Sequence, residues 1–374
     1  MELIKLPKSE RSPKNALFGR FRIVFWIFKY SVSSPSMTNE DISRVKELLS
    51  PEKKIVIVPH KGPDGDAMGS TLALKILLEE LEHHVQLIAP NDYPDFLKWL
   101  PYQEEVLIFE QDPQKCSSHI AEADVIFTLD FNSLSRTGDM YEPLKNATAD
   151  FIMIDHHQQP DDYAVVTYSD VTMCSTAQMV YHFIENIGLA DKITPQIATC
   201  LYTGIMTDTG SFRYRSTTSL THRVVADLIE KGADNTSIHE NVFDTSSYGQ
   251  LQLLGCALQN LRVVEGLRTA FITLSQEELD RHNFRKGDTE GFVNYGLSLK
   301  GIVFAAIFIE HKADKIVKIS FRSKGTFSVN DFSRRHFGGG GHVNAAGGKS
   351  DLSLAETVEK FISILPDYKT SLAL

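Results

Sequence analysis

The chain has 374 residues, 42% hydrophobic and 23% charged, the composition of a globular protein with room for two ordinary cores rather than of a disordered one. Its formal net charge of −10 argues against a general nucleic-acid binder, which needs an overall basic face to neutralise phosphates. Cys116, Cys174, Cys200 and Cys256 are far apart and form no C-x-x-C pair, which speaks against a disulfide frame or a cysteine zinc site and fits a reducing, cytoplasmic setting.

Residues 1–36 carry seven Lys or Arg and two acids. Their longest apolar run, 23–28, falls far short of the roughly 18 residues that cross a membrane. Arg20 and Arg22 interrupt the apolar core a signal peptide needs, and no A-x-A site follows. We expect Met37 to be the effective start, residues 1–52 being an extension and a lead-in helix. From Lys54 onwards, the apolar runs 55–58, 85–89, 125–129 and 151–154 read as buried strands. Between the first two, Met68, Leu72 and Ile76 fall at helical spacing, as do Leu77 and Leu81, and His83-His84 reads as the end of an exposed helix. Helical segments follow at about 195–206 and 221–231, and 234–254 reads as a partly helical connector. A second unit begins near 255, with strands at 267–274, 301–309 and 316–321, a glycine cluster and a closing helix at about 354–365. The expectation is an α/β fold: a mostly parallel sheet flanked by helices over 53–233, a linker over 234–254, and a smaller α/β domain over 255–371, with the active site in the cleft between them.

In an open parallel sheet the functional crevice lies outside the carboxyl ends of the strands. The first run leads into HKGPDGDAMGS with His60, Asp64 and Asp66, the third into Asp130, and the fourth into Asp155-His156-His157. The segment GIMTDTGSF places Asp208 just after a helix. Taken singly, H-x-x-x-D-x-D could be a polar turn, Asp130 a helix cap and the histidine pair a solvated loop. Together, four segments deliver ligand-type groups to one rim, where bare carboxylates would repel one another. Divalent cations remove that repulsion, and Asp/His donors without thiolate suit Mn²⁺, Mg²⁺, Co²⁺ or Fe²⁺. Two ions bridged by one carboxylate would clamp the attacking and leaving oxygens of a phosphoryl transfer.

Here the sequence resembles the DHH phosphoesterase superfamily, through HKGPDGDAMGS, TLDFNSLSRTG, IDHHQ and GIMTDTGSF, over about residues 53–233. FGGGGHVNAAGG resembles the substrate-binding motif of the DHHA1 domain, over about 255–371. The resemblance implies two divalent cations, manganese foremost. His60, Asp64 and Asp130 would hold the first; Asp66, Asp130, His156 and Asp208 the second. Asp130 would bridge them and, with His157, carry catalysis, a hydroxide between the ions attacking phosphorus. Asp155 would orient a ring nitrogen of the histidine pair.

It also implies that Arg322, His342 and the backbone of Gly338, Gly339, Gly340 and Gly341 grip the substrate, with Asn294 and Tyr295 as weaker contacts; Arg136, which follows the second motif in SLSRTG, is a further candidate for a substrate phosphate. Local charge agrees: between Lys312 and His342 stand seven Lys or Arg against two acids. The architecture most resembles the nanoRNase/pAp-phosphatase group. The expected substrates are therefore short oligoribonucleotides and the 3′-phosphate of adenosine 3′,5′-bisphosphate, with no long nucleic acid and no membrane as partner; a homodimer stays open. The rival activity is a cyclic-di-AMP or pApA phosphodiesterase. The rival from another class is a non-catalytic protein that binds nucleotides or RNA ends. His119, His182, His239, His282 and His311 read as surface or satisfied positions.

Overall fold

The computed structural model describes residues 37–285 and 287–373, so the expectations for 1–36 lie outside the described residues. Six strands, β1 (Lys54–Val58), β2 (His84–Ala89), β3 (Leu107–Ile108), β4 (Val125–Leu129), β5 (Asp150–Asp155) and β6 (Val166–Ser169), pair in parallel in the order β3-β2-β1-β4-β5-β6. Alternate residues of β1 enter different cores. Ile55 and Ile57 pack with the helices Gly65–Glu80, Thr176–Asn186 and Pro195–Asp208. Val56 and Val58 pack with Cys116 and Ile120 of the helix Pro113–Glu122. Helices thus cover both faces, which is why these strands read as unbroken apolar runs rather than alternating ones. The strand order reverses direction between β1 and β4, and such a switch point is where an open sheet leaves a crevice.

The helix Gly65–Glu80 is buried along its whole length from Gly65 to Leu78. It crosses Pro195–Asp208 so closely that a Cβ on Gly69 would fall 2.5 Å from the Cys200 carbonyl oxygen. This corrects the expectation of an exposed helix ending at His83-His84. His83 is only 6% exposed, tucked in where the chain turns into β2, and His84 is the first residue of that strand.

The second sheet is mixed: β7 (Arg262–Val264), β8 (Thr269–Leu274), β9 (Phe304–His311), β10 (Ile316–Ser323), β11 (Gly340–His342) and β12 (Ala345–Ser350), in the order β11-β12-β10-β9-β8-β7. Only β8 and β9 run parallel. One face carries a phenylalanine cluster, with Phe304 edge-on to Phe332 and Phe308 edge-on to Phe361, both at 5.1 Å between ring centroids. On the other face the helices Tyr248–Gln259 and Val293–Ser298 pack with Ile272 and Ala305.

The glycine cluster is more structured than a ligand loop. Gly338 ends the helix Val329–Phe337 in the left-handed region (φ 58°), and β11 and β12 form a hairpin. A Cβ on Gly339 would fall 1.9 Å from the Gly347 carbonyl oxygen, and one on Gly341 2.4 Å from that of Ala345. Close backbone packing is therefore one reason for glycine here. The four cysteines are unpaired, and no helix of the described residues is long and apolar enough to cross a membrane.

Candidate metal centre

The loops that leave β1, β4 and β5 converge at the switch point, and the last turn of the helix Pro195–Asp208 closes the ring. Three groups of ligand atoms result, each within 4.8 Å of one another: His60, Asp64 and Asp130; Asp66, His156 and Asp208; and Asp130, His156 and His157. Every metal-ligating candidate from the sequence is thus brought to one place. Asp208 ends its helix rather than following it.

Local structure sets each side chain. Asp64 caps the helix Gly65–Glu80, its Oδ1 accepting the amides of Asp66 and Ala67 at 3.0 and 3.1 Å. The loop before it is tied by the Gly62 amide, which donates to Asn91 Oδ1 at 2.6 Å, and by the Lys61 amide, which donates to the Arg136 carbonyl at 2.8 Å. Asp130 follows β4 in a left-handed conformation (φ 67°), which an aspartate tolerates better than most residues and which turns its carboxylate into the crevice. His60 Nδ1 faces the Lys61 carbonyl at 3.0 Å and His156 Nδ1 faces that of Met173 at 3.3 Å. Each contact makes Nδ1 the protonated nitrogen and leaves Nε2 free as a ligand.

His60 Nε2 lies 3.4 Å from Asp130 Oδ2. His156 Nε2 lies 3.5 Å from Asp130 Oδ1, 3.7 Å from Asp208 Oδ2 and 3.9 Å from Asp66 Oδ2. These gaps exceed good hydrogen bonds but match donors that share an ion, since ligands about 2.1 Å from a divalent cation stand about 3 Å or more from each other.

Electrostatics argues the same way. Burial, then the charges of Asp130, Asp208 and Asp64, push Asp66 well above the carboxylate range. Burial chiefly, with Asp130 and Asp64 opposing His156, lifts Asp208 to about 7. Burial works against charge on His60 and on Asp130 alike. Their mutual contact wins, taking His60 up to about 9 and, with His156 and His157, holding Asp130 low. Two buried carboxylates, Asp66 and Asp208, that hold their protons for want of positive charge, beside imidazole Nε2 atoms turned towards the acids and no thiolate, fit divalent cations.

His157 stands beside this group. Its Nδ1 donates to Asp155 Oδ1 at 2.7 Å, leaving Nε2 unspent; burial lowers its pKa, but Asp155 and Asp130 outweigh that and raise it. Asp155 is fully buried, and its Oδ2 has no partner among the described residues. From the second unit the His342 ring stacks on His157, with centroids 5.3 Å apart and planes at 30°. Partial desolvation, then the charges of His157, His156 and Arg136, hold His342 low, so Arg136 also lies near this contact. Arg322 is half-buried and feels Tyr214, which follows Asp208 in the chain, and Glu290. Asn294 is half-buried on the helix Val293–Ser298 and makes no side-chain hydrogen bond among the described residues.

Sequence reasoning missed the polar groups that hold the carboxylates. The amides of Thr176 and Ala177 donate to Asp66 Oδ2 and Oδ1 at 2.6 and 2.8 Å, and the Thr176 hydroxyl donates to Asp130 Oδ1 at 2.9 Å. The available signal was Ser175-Thr176 before an apolar run, a helix-start pattern that marks an element and not a carboxylate holder.

Comparison with known proteins agrees with this geometry. The model of the DHH family, N-terminal domain, matches residues 54–205, and that of the DHHA1 domain matches residues 269–369. The bifunctional oligoribonuclease and PAP phosphatase NrnA of Thermus thermophilus is 32% identical over 336 residues, 88% of this chain and 95% of that protein. The chain belongs to the DHH/DHHA1 phosphoesterase family. A crystal structure of an exopolyphosphatase-related protein from Bacteroides fragilis superposes with a TM-score of 0.88 at 38% identity, covering 90% of this chain and 98% of that one. The cyclic-di-AMP phosphodiesterase PdeA of Listeria monocytogenes is 25% identical over 87% of this chain, which spans 49% of PdeA. The chain thus spans nearly the whole of the Thermus thermophilus and Bacteroides fragilis proteins and about half of PdeA.

Proposed function

We propose that this protein hydrolyses phosphoesters of short nucleotides: oligoribonucleotides of a few residues, the 3′-phosphate of adenosine 3′,5′-bisphosphate, or both. The observation that carries this reading is the meeting of His157, beside the carboxylate centre, with His342 of the second unit at 5.3 Å. His60, Asp64 and Asp130 would hold one divalent ion and Asp66, Asp130, His156 and Asp208 a second, manganese being the proposed metal. When bound, such ions lower the pKa of water and neutralise charge building on the phosphoryl group.

The chain's own groups do the rest. Asp155 holds the His157 proton at Nδ1, and Nε2 is the nitrogen left to protonate the departing oxygen. Burial lowers the His157 pKa, but contact with Asp155 and Asp130 outweighs that, which is the direction a proton donor needs. Arg322 offers a fork of donors to a terminal phosphate. Arg136 and His342 border the place where the scissile group would sit, with the backbone of Gly338, Gly339, Gly340 and Gly341 and the Asn294 amide as further proposed contacts. Two arginines, Arg322 and Arg136, beside the centre of an acidic protein favour substrates of a few nucleotides over long polymers. A cytoplasmic setting and a homodimer belong to the same proposal, light scattering being the check on the second.

The likeness to PdeA favours a second reading, a phosphodiesterase for cyclic-di-AMP or its linear product pApA. Turnover of adenosine 3′,5′-bisphosphate, an oligoribonucleotide series, cyclic-di-AMP and pApA by the Mn²⁺-loaded protein separates the two. Preference for the first pair supports the main reading and preference for the second pair the rival. Turnover of none leaves a nucleotide-binding role.

A further inference from the structure

Asp130 is the carboxylate that faces both halves of the centre, and its oxygens have different neighbours. Oδ2 lies 3.4 Å from His60 Nε2. Oδ1 lies 3.5 Å from His156 Nε2 and accepts the 2.9 Å hydrogen bond from the Thr176 hydroxyl. The Thr176 amide donates to Asp66. One residue in the first turn of the helix Thr176–Asn186 therefore touches two carboxylates that arrive from different loops. Asp130 and Asp66 are each 2% exposed and Thr176 is 0% exposed, so solvent has no access to stand in for the hydroxyl. The left-handed backbone at Asp130 takes that side chain out of the strand's ordinary alternation, and its direction must come from a partner. Nor does the helix start need this hydroxyl, because Ser175 Oγ already accepts the Gln178 amide at 3.0 Å.

We propose that Thr176 is a positioning residue of the metal centre. Its hydroxyl fixes the rotation of the Asp130 carboxylate so that one oxygen faces each half, while its amide steadies Asp66. This rests on the two-ion reading above and assigns Thr176 no contact with ion or substrate. A carboxylate free to rotate would offer its bridging oxygens in the required direction only part of the time, and the loss would appear as affinity for the metal.

The test is titration of metal-free protein with Mn²⁺ alone, by calorimetry, with melting temperatures of the metal-free forms alongside. Thr176→Val keeps the shape and removes the donor; its Mn²⁺ affinity is expected to fall about 10–100-fold. Thr176→Ser keeps the donor and is expected to bind like the parent. Ser175→Ala removes the helix cap and leaves the Asp130 bond; it is expected to melt lower without that loss of affinity. Should Thr176→Val lack a cooperative melt, Thr176→Ala takes its place with the same expected loss. Parental affinity in the donor-less variant, or an equal loss in Ser175→Ala, overturns the proposal. Because no turnover is measured, a parent that binds Mn²⁺ yet hydrolyses nothing sinks the hydrolase reading alone. A parent that binds no divalent ion sinks both.

Discussion

Neither ring nitrogen of His83 has a partner among the described residues, although the residue is only 6% exposed. Burial holds its pKa below the ordinary imidazole value of about 6.5. On acidification the unfolded chain takes this proton first, so the stability His83 permits is whole above about 6.5 and drains away below it. His60 has the opposite sign, since a pKa raised to about 9 gives stability that is lost as pH climbs towards 9. His83→Leu should therefore flatten the acid side of the melting-temperature profile between pH 7.5 and 5.5 and leave the alkaline side alone. An acid limb as steep as the parent's would contradict this. Asp130 offers a second residue-scale test, because asparagine also accepts its left-handed backbone. Asp130→Asn should fold yet lose bound metal and turnover together. Arg322→Ala should keep its metal and mainly raise KM, as removal of a substrate clamp does. Metal analysis beside steady-state kinetics reads both, and equal metal loss in the two would refute the division of roles.

At the scale of elements, glycines decide where chain can lie against chain. A Cβ on Gly69 would strike the Cys200 carbonyl at 2.5 Å and the Gly204 nitrogen at 2.9 Å, and backbone cannot swing aside. Gly69→Ala should cost about 1–3 kcal/mol in urea unfolding, the usual penalty of overpacking. Gly255, within the helix Tyr248–Gln259, has nothing within 4 Å of such a Cβ. Gly255→Ala should stabilise by about 0.5–1 kcal/mol, the ordinary helix preference for alanine. A similar shift from both would mean the crossing is looser than described. The same physics sorts what the residues revealed in advance. β1, β4 and β5 were legible because burial on both faces makes a strand an apolar run, and the candidate ligands other than Asp208 were legible because they follow those runs closely; Asp208, at the end of a helix, stood out by its motif GIMTDTGSF. β11 and β12 were not, because the glycines of GGH and AAGGKS oppose strand preference, and β12 is held by pairing with β10 on one side and β11 on the other. Thr176 was hidden for another reason: its bonds to Asp66 and Asp130 span 110 and 46 residues, and local pattern carries no such information.

Across the whole molecule, fold and ligand are coupled through the acids at the switch point. Asp66 is pushed well up and Asp208 to about 7, so the metal-free fold prefers them protonated. Their contribution is complete below the ordinary carboxylate range and is lost as pH rises through about 7 for Asp208. A divalent ion reverses this by binding the ionised forms. The rise in melting temperature on adding Mn²⁺ should accordingly be larger at pH 8 than at pH 5.5, and a pH-independent rise would refute the coupling. The His157–His342 stack has a consequence of its own. Holding a third flat ring between two others requires about 7 Å, and these centroids are 5.3 Å apart. A nucleobase could stack between them only after the rings part, by a turn of the His342 side chain or by movement of the second unit. If turnover requires the second unit to swing away against solvent friction, glycerol added at constant temperature should slow kcat in proportion to viscosity when that swing is the slowest event, and leave it untouched when bond breaking is.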